Sequence, residues 1–238
     1  MNAPLVLVPG LNNTRAVFDR VLPHLPSDTQ ALPVDNPPLE SVDDIAQKLL
    51  ADLPPRFWLA GFSFGGYVAL AMLAAAPQRV LGIAMICTAP GADSQAAAEK
   101  RRAALDQVAE GRYFEMIESQ AALAFHPDSL ADADMMAERA RMVRAYGPER
   151  FVAHVRATIA RPDRTALLDG TRPTIVVGGS HDRAFPAAAL AYANAIPGCR
   201  HVTIEGAGHL VPMEKPAELA RCLAQWMGQD DSPLTRSP

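Results

Sequence analysis

The sequence contains no apolar run that could cross a membrane. None of its 238 residues belongs to a stretch that approaches the roughly 18 apolar residues of a transmembrane helix. The first four residues lead directly into the apolar segment Leu5–Val8, so the basic and apolar pattern of a secretory signal is missing as well. These absences predict a cytoplasmic protein that does not bind membranes.

Cysteine is scarce. The chain has three cysteines, Cys87, Cys199 and Cys222, and none of them lies in a C-x-x-C spacing. An odd number without paired spacing argues against a disulfide framework and against a zinc site. We expect the three side chains to be small buried hydrophobic groups in a reducing compartment.

An excess of positive charge is also absent. The net charge of −4 argues against nucleic acid as a partner. Neither G-x-G-x-x-G nor the Walker A spacing occurs, because Gly206-Ala207-Gly208 lacks a third glycine and precedes a histidine. We therefore expect no organic cofactor and no metal.

The 49% of hydrophobic residues are enough for one large core in a chain of this length.

The most informative segment that is present is Gly61-Phe62-Ser63-Phe64-Gly65-Gly66. It fits G-x-S-x-G, in which a serine occupies a strained turn between a strand and a helix and small residues avoid clashes. An apolar strand pattern precedes it, and a pattern of helix formers that stops at Pro77 follows it. The alternative is an ordinary glycine-rich turn in which Ser63 is one more polar residue. The context favours a nucleophile.

Two further polar residues follow predicted strands. Asp182 comes just after the β-branched segment Thr174–Gly178, and His209 comes after the short strand His201–Ile204. Ligands of open α/β sheets bind beyond the carboxyl ends of the strands, so both residues should lie at the same edge as Ser63. Singly, an aspartate in a loop is most often a turn former, but serine, acid and histidine in this order are characteristic of a catalytic triad.

These motifs resemble those of the α/β-hydrolase superfamily, in its serine-nucleophile, esterase-like branch with a helical cap. The resemblance extends from Leu5 to about Met227 and includes the acid loop at 178–182 and the histidine loop at 206–216. Two segments depart from the family pattern. Pro9-Gly10 replaces the usual His-Gly, and the segment 35–39 replaces a glycine-rich loop.

The resemblance implies a role for each matching residue. Ser63 would be the nucleophile, His209 the general base and Asp182 the acid that orients it. Asp93 is the main rival for the acid, because some relatives take the acid from the loop before the cap. Asp169 and Glu205 are weaker rivals.

The resemblance also places an oxyanion hole and a pocket. The main-chain N–H groups of Leu11 and Phe64 would form the oxyanion hole. Substrate would contact Asn12, Leu210 and Val211. The implied reaction is hydrolysis of a small to medium carboxylic ester through an acyl-enzyme. A lactonase, a thioesterase, a carbon–carbon bond hydrolase, a cofactor-free lyase or a non-catalytic binding protein of the same fold remain alternatives.

Strand and helix patterns alternate along the chain and predict a doubly wound, mostly parallel sheet. Too few residues precede Leu5 for the first two strands of the family, so we expect six strands. We assign residues 1–90 and 169–228 to the α/β-hydrolase core, 91–168 to a helical cap insertion and 229–238 to a flexible tail. Core strands are predicted at Leu5–Val8, Gln30–Leu32, Arg56–Gly61, Val80–Cys87, Thr174–Gly178 and His201–Ile204, and core helices at Arg15–Leu22, Val42–Leu53, Phe64–Ala76, Ala187–Ala195 and Ala217–Met227.

Basic residues are concentrated in the second half of the insertion. They could form a cleft that attracts a substrate bearing carboxylate or phosphate. Alternatively, they form solvated helix faces that pair with the acidic residues just upstream, Asp132, Asp134 and Glu138. This second interpretation is favoured because such pairs are common on surfaces. The residues concerned are Arg139, Arg141, Arg144, Arg150, Arg156, Arg161 and Arg164.

Overall fold

A computed structural model describes residues 3–228 and contains one six-stranded sheet. Its strand order is β2-β1-β3-β4-β5-β6, and every neighbouring pair is parallel. This confirms the predicted doubly wound α/β architecture, with the sheet parallel throughout. The strands are β1 (Leu5–Val8), β2 (Ala31–Pro33), β3 (Phe57–Phe62), β4 (Val80–Ile86), β5 (Thr174–Gly179) and β6 (Arg200–Ile204).

Nine α-helical segments accompany the sheet in the described part of the chain. They are α1 (Val42–Asp52), α2 (Phe64–Ala75), α3 (Gln95–Ala109), α4 (Tyr113–Ser119), α5 (Ala121–Ala124), α6 (Pro127–Leu130), α7 (Ala133–Ala160), α8 (Val211–Glu214) and α9 (Pro216–Trp226).

Both faces of the sheet are covered, as β1 illustrates. Val6 and Val8 pack into one apolar cluster with α1 and α2, whereas Leu5 and Leu7 pack into a second cluster with α9. All four side chains are fully buried. A strand that is buried on both faces reads as a continuous apolar segment, which is why β1 could be located to the residue.

Two predicted helices differ in the structure. The segment expected to be a helix at Arg15–Leu22 forms two 3₁₀ turns, Arg15–Phe18 and Leu22–His24, the second containing Pro23. Proline cannot donate a helical hydrogen bond, so a regular α-helix does not continue through this region. The segment Ala187–Ala195 is likewise a 3₁₀ helix.

Helices α3 to α7 lie between β4 and β5, in the part of the chain predicted to be the cap. The longest, α7, is interrupted at Gly147, whose φ of 75° is outside the helical region, and Pro148 follows at once. Residues from α4 and α7 form a small apolar cluster around Tyr113, Ile117 and Phe151. The domain boundaries remain predictions, and the predicted tail 229–238 lies outside the described residues.

Within residues 3–228, no helix combines the length and the apolar character that crossing a bilayer requires.

Candidate active site

Ser63 occupies the turn between β3 and α2. Its backbone has φ 52° and ψ −119°, a region that costs a non-glycine residue of order 1–3 kcal/mol and persists only where the surroundings impose it. The two flanking glycines explain how the turn is accommodated. A Cβ on Gly61 would meet the main chain of Gly65, and a Cβ on Gly65 would meet the carbonyl of Val8. The G-x-S-x-G spacing is therefore a packing requirement of this turn.

Ser63, His209 and Asp182 form one chain of hydrogen bonds. The distance from Ser63 Oγ to His209 Nε2 is 3.0 Å, and from His209 Nδ1 to Asp182 Oδ2 it is 2.8 Å. An ionised carboxylate only accepts hydrogen bonds, so Nδ1 carries the imidazole proton and Nε2 is left to accept from the serine hydroxyl. This is the tautomer that a general base beside Ser63 needs.

The Asp182 carboxylate is fixed from both of its oxygens. Its side chain is fully buried, and Oδ1 accepts hydrogen bonds of 2.8 Å from the amides of Ala184 and Phe185. Phe185 in turn stacks on the His209 ring, with centroids 5.8 Å apart. The loop after β5 therefore orients both the acid and the imidazole plane.

Two of the three rival acids, Asp93 and Asp169, are occupied elsewhere. Asp93 accepts from Arg101 Nε at 2.6 Å and from Arg161 Nη1 at 2.7 Å. Asp169 accepts from the amide and hydroxyl of Thr171 at the opposite edge of the sheet, before β5. In the described structure, Asp182 is the acid bonded to His209.

Glu214 holds the histidine loop against the insertion. Its Oε1 accepts from the Gly208 amide at 3.0 Å, and its Oε2 accepts from the His126 amide at 2.7 Å. The His209 amide donates to the carbonyl of Ala124 at 2.7 Å. The glutamate of the family's histidine-loop motif thus bridges two segments that must stay together for His209 to keep its position.

Leu11 and Phe64 line the pocket that contains Ser63. Neither amide donates to another group within residues 3–228. Phe64 is the first residue of α2, where main-chain N–H groups are unpaired and the helix dipole favours negative charge. Asn12, the next residue after Leu11, has φ 60° and accepts a 3.0 Å hydrogen bond from the Tyr113 hydroxyl. The unpaired main-chain N–H groups of Leu11 and Phe64 are therefore suited to stabilise a developing oxyanion.

The pocket that contains Ser63 and His209 has a volume of about 450 Å³, within the usual range for small-molecule sites. Asn12 and Leu210 line it, as predicted. Val211 does not, because it begins α8 and its side chain is fully buried in the apolar cluster beneath. Sequence patterns missed several lining residues, among them Arg101, Arg183 and Gln120, whose segments meet only in the folded chain.

Cys87 lies close to the acid and the histidine. Its sulfur and the ligand atoms of Asp182 and His209 fall within 4.8 Å of one another, so the three could in principle hold a metal ion. Burial, reinforced by the Asp182 charge, raises the pKa of the Cys87 thiol well above its usual value. A protonated thiol is a poor metal ligand, and the other two groups are already bonded to each other. The cluster of Cys87, Asp182 and His209 is therefore poorly suited to bind a metal ion.

His154 of α7 is a buried residue that the sequence did not single out. Its Nε2 lies 2.8 Å from the carbonyl of Pro37, which can only accept, so Nε2 carries the proton and Nδ1 accepts from Tyr146 at 2.7 Å. Its ring stacks on Phe64 with centroids 4.7 Å apart. The insertion thus contacts both the loop after β2 and the residue that follows Ser63.

The neutral state of His154 makes stability depend on pH. Burial lowers its pKa from 6.5 to about 4. The unfolded chain binds the proton below pH 6.5 and the folded chain does not, so stability falls as the pH drops from 6.5 towards 4. Through this one group, the free energy of unfolding should decrease by about 2 kcal/mol between pH 7 and pH 5.

Urea unfolding of the wild type and of His154→Gln at the two pH values checks this, because the glutamine can still donate to Pro37 without titrating. The variant should lose about 2 kcal/mol less on acidification. Equal losses in both proteins would contradict the assignment.

Comparison with known proteins agrees with the fold. A sequence model described as the alpha/beta hydrolase family matches residues 5–222. The chain is 26% identical to the dihydrolipoyllysine-residue acetyltransferase component of the acetoin cleaving system of Pseudomonas putida, over 89% of this chain and 60% of that protein. It is 29% identical to 2-succinyl-6-hydroxy-2,4-cyclohexadiene-1-carboxylate synthase of Enterobacter sp. (strain 638), over 77% of this chain and 72% of that protein. The chain thus spans less than two thirds of the first of these curated relatives.

Solved structures are similar over almost the whole chain. A thermophilic esterase from Thermogutta terrifontis has a TM-score of 0.89 at 25% identity, covering 96% of this chain and 90% of that one. The enol-lactonase from Burkholderia xenovorans LB400 has a TM-score of 0.84 at 20% identity, covering 96% of this chain and 92% of that one. At that lower identity the second likeness concerns the fold alone.

Proposed function

The chain belongs to the alpha/beta hydrolase family, and we propose that it is a serine hydrolase of small to medium carboxylic esters. The observation that carries this proposal is the hydrogen-bonded chain from Asp182 through His209 to Ser63. A binding protein of the same fold would have little need of a strained serine, a fixed tautomer and two free amides in one pocket.

In the proposed mechanism, Ser63 Oγ attacks the ester carbonyl carbon while His209 Nε2 takes the hydroxyl proton. The amides of Leu11 and Phe64 stabilise the oxyanion, and Asp182 stabilises the imidazolium. Collapse of the tetrahedral intermediate breaks the bond to the alkoxy group, which leaves as the alcohol with the proton from His209. Water then attacks the acyl-enzyme with His209 again as base, which releases the acid and restores Ser63.

A fluorophosphonate probe and a short p-nitrophenyl ester test the proposal together. We expect covalent labelling at Ser63, stoichiometric with the protein, and release of p-nitrophenol that the label abolishes. Labelling without turnover of any ester would redirect the search to lactones, thioesters, carbon–carbon bonds and the elimination-type reactions that these residues could also support. Absence of both labelling and turnover would favour a non-catalytic binding protein.

The apolar residues of the pocket predict a dependence on acyl chain length. Leu11, Phe64 and Leu210 lie at the reacting atoms, and helices of the insertion supply further lining residues. Each buried methylene contributes about 0.8 kcal/mol, so kcat/KM should rise about fourfold per methylene along a p-nitrophenyl ester series. It should then fall once the chain exceeds the pocket. A continuous rise up to long lipid chains would contradict this expectation.

A further inference from the structure

Three arginines line the pocket that contains Ser63. Arg101 comes from α3, Arg139 from α7 and Arg183 from the loop just after Asp182. None of the described residues that line this pocket is an aspartate or a glutamate. Three cations from separate segments therefore line the pocket of the proposed nucleophile, and no acidic residue lines it with them.

The carboxylate of Asp93 neutralises only part of this charge. Asp93 is shared between Arg101 and Arg161, both of which bond to it directly. Arg161 is almost fully buried and also stacks on Tyr67, with its guanidinium carbon 3.9 Å from the ring centroid. One negative charge between two guanidinium groups leaves a net positive charge behind the pocket wall.

Arg139 is the arginine with the clearest need of an anion. Its Nη2 donates to the carbonyl of Ile117 at 2.6 Å, and its guanidinium lies over Phe125 at 5.7 Å. Across residues 3–228 it has no carboxylate within 4.0 Å. Burial lowers its pKa, against a smaller opposing effect of Glu118. The cation is thus partly desolvated in the pocket wall. Its direct partners are neutral, and Glu118 acts on it only from beyond ion-pair distance.

Other arginines of the insertion are different. Arg156 pairs with Glu40, and Arg164 pairs with Asp43, both on the core. For Arg156 and Arg164, the prediction that they pair with acidic residues is confirmed. Their partners are residues of the core, however, and not the acidic residues just upstream in the insertion. Arg183 is exposed and has no ion pair in the described part of the chain, so it can meet a ligand at the rim.

We propose that the substrate is an ester that also carries a free carboxylate, which Arg139 binds while Arg101 and Arg183 attract it into the pocket. This rests on the proposed function. A guanidinium matches a carboxylate with two parallel hydrogen bonds, and such a pair is strongest where water is partly excluded. The apolar residues at Ser63 then hold the ester end, so one pocket recognises both ends of the molecule.

A matched pair of substrates tests the charge directly. Mono-p-nitrophenyl glutarate carries the carboxylate on the acyl side, and its methyl ester is the neutral counterpart. We expect a KM at least about tenfold lower for the anion at low salt, with the advantage shrinking as salt rises because screening weakens charge attraction. A second pair, 4-acetoxybenzoate and its methyl ester, places the carboxylate on the alcohol side and identifies which side faces Arg139.

Arg139→Gln should remove the preference. We expect the KM for the anionic ester to rise about 30-fold, since truncating one partner of a buried charge pair has effects of at least this size. The kcat/KM for the neutral ester should fall by a much smaller factor, because that substrate has no carboxylate for Arg139 to bind. Arg139→Lys keeps the charge without the planar fork and should restore part of the loss. Arg156→Gln, which removes an exposed arginine of the same helix, is the matched control and should leave the preference intact.

The outcomes separate this inference from the proposed function. Equal KM values for charged and neutral esters in both pairs, with fluorophosphonate labelling intact, would overturn the inference and leave the hydrolase. If no ester is turned over, calorimetry with glutarate and Ser63→Ala decides it, because this binding needs no catalysis. Binding that Arg139→Gln abolishes supports the anion site, and unchanged or absent binding overturns it.

Discussion

Ser63→Ala should reduce ester turnover by about four to six orders of magnitude, because the members of a triad act as a unit. The oxyanion donors that remain account for only a small residual rate. The fold should survive, since alanine keeps the Cβ and loses only the hydroxyl that donates to His209. Stopped-time assays with a p-nitrophenyl ester at high protein concentration measure the residual rate, and circular dichroism reports the fold.

The control is Ser27→Ala, which removes an exposed serine that does not line the pocket. It should keep full turnover and full labelling by a fluorophosphonate, whereas Ser63→Ala should not be labelled at all. A Ser63→Ala protein that retained a tenth of the wild-type rate would show that another group is the nucleophile. It would also remove the reason for the strained backbone at this position.

The sheet could be predicted from the sequence because its strands obey a simple physical rule. A parallel strand covered on both faces is continuously apolar, and β1, β3 and β5 all have this pattern. The edge strand β2 was placed one residue early, because it has three half-buried residues and little apolar signal. The 3₁₀ segment Ala187–Ala195 could not be predicted, since its sequence contains ordinary helix formers. At Leu22–His24, by contrast, Pro23 is a local signal against a regular helix.

The residues of the candidate site also differ in how well the sequence alone could predict them. Ser63, Asp182 and His209 could be proposed together because each follows a strand of one parallel sheet, and topology alone then brings them to one edge. Arg101 and Arg183 could not, because they are far apart in sequence and line one pocket only in the folded chain. Val211 was misplaced because α8 turns its first residue into the core. Local patterns locate main-chain turns better than they locate pocket walls.

Asp182→Asn should lower kcat by roughly four orders of magnitude, with KM nearly unchanged. The amide of asparagine can donate to Nδ1, which would place the imidazole proton on Nε2 and leave no acceptor for the Ser63 hydroxyl. The main-chain donors at Ala184 and Phe185 hold Oδ1 in place, so the side chain should keep its position while its chemistry changes. Steady-state kinetics against a neutral p-nitrophenyl ester measure the effect without involving the pocket arginines.

Two other aspartates make this test specific. Asp169→Asn alters an exposed turn before β5 and should change kcat by less than about twofold, as is usual for surface substitutions. Asp93→Asn removes the carboxylate shared by Arg101 and Arg161, so its main effect should be lower stability, because two guanidinium groups then lose their counterion. If Asp93→Asn lowered kcat by orders of magnitude in a folded protein and Asp182→Asn did not, the acid would have to be reassigned to the loop after β4.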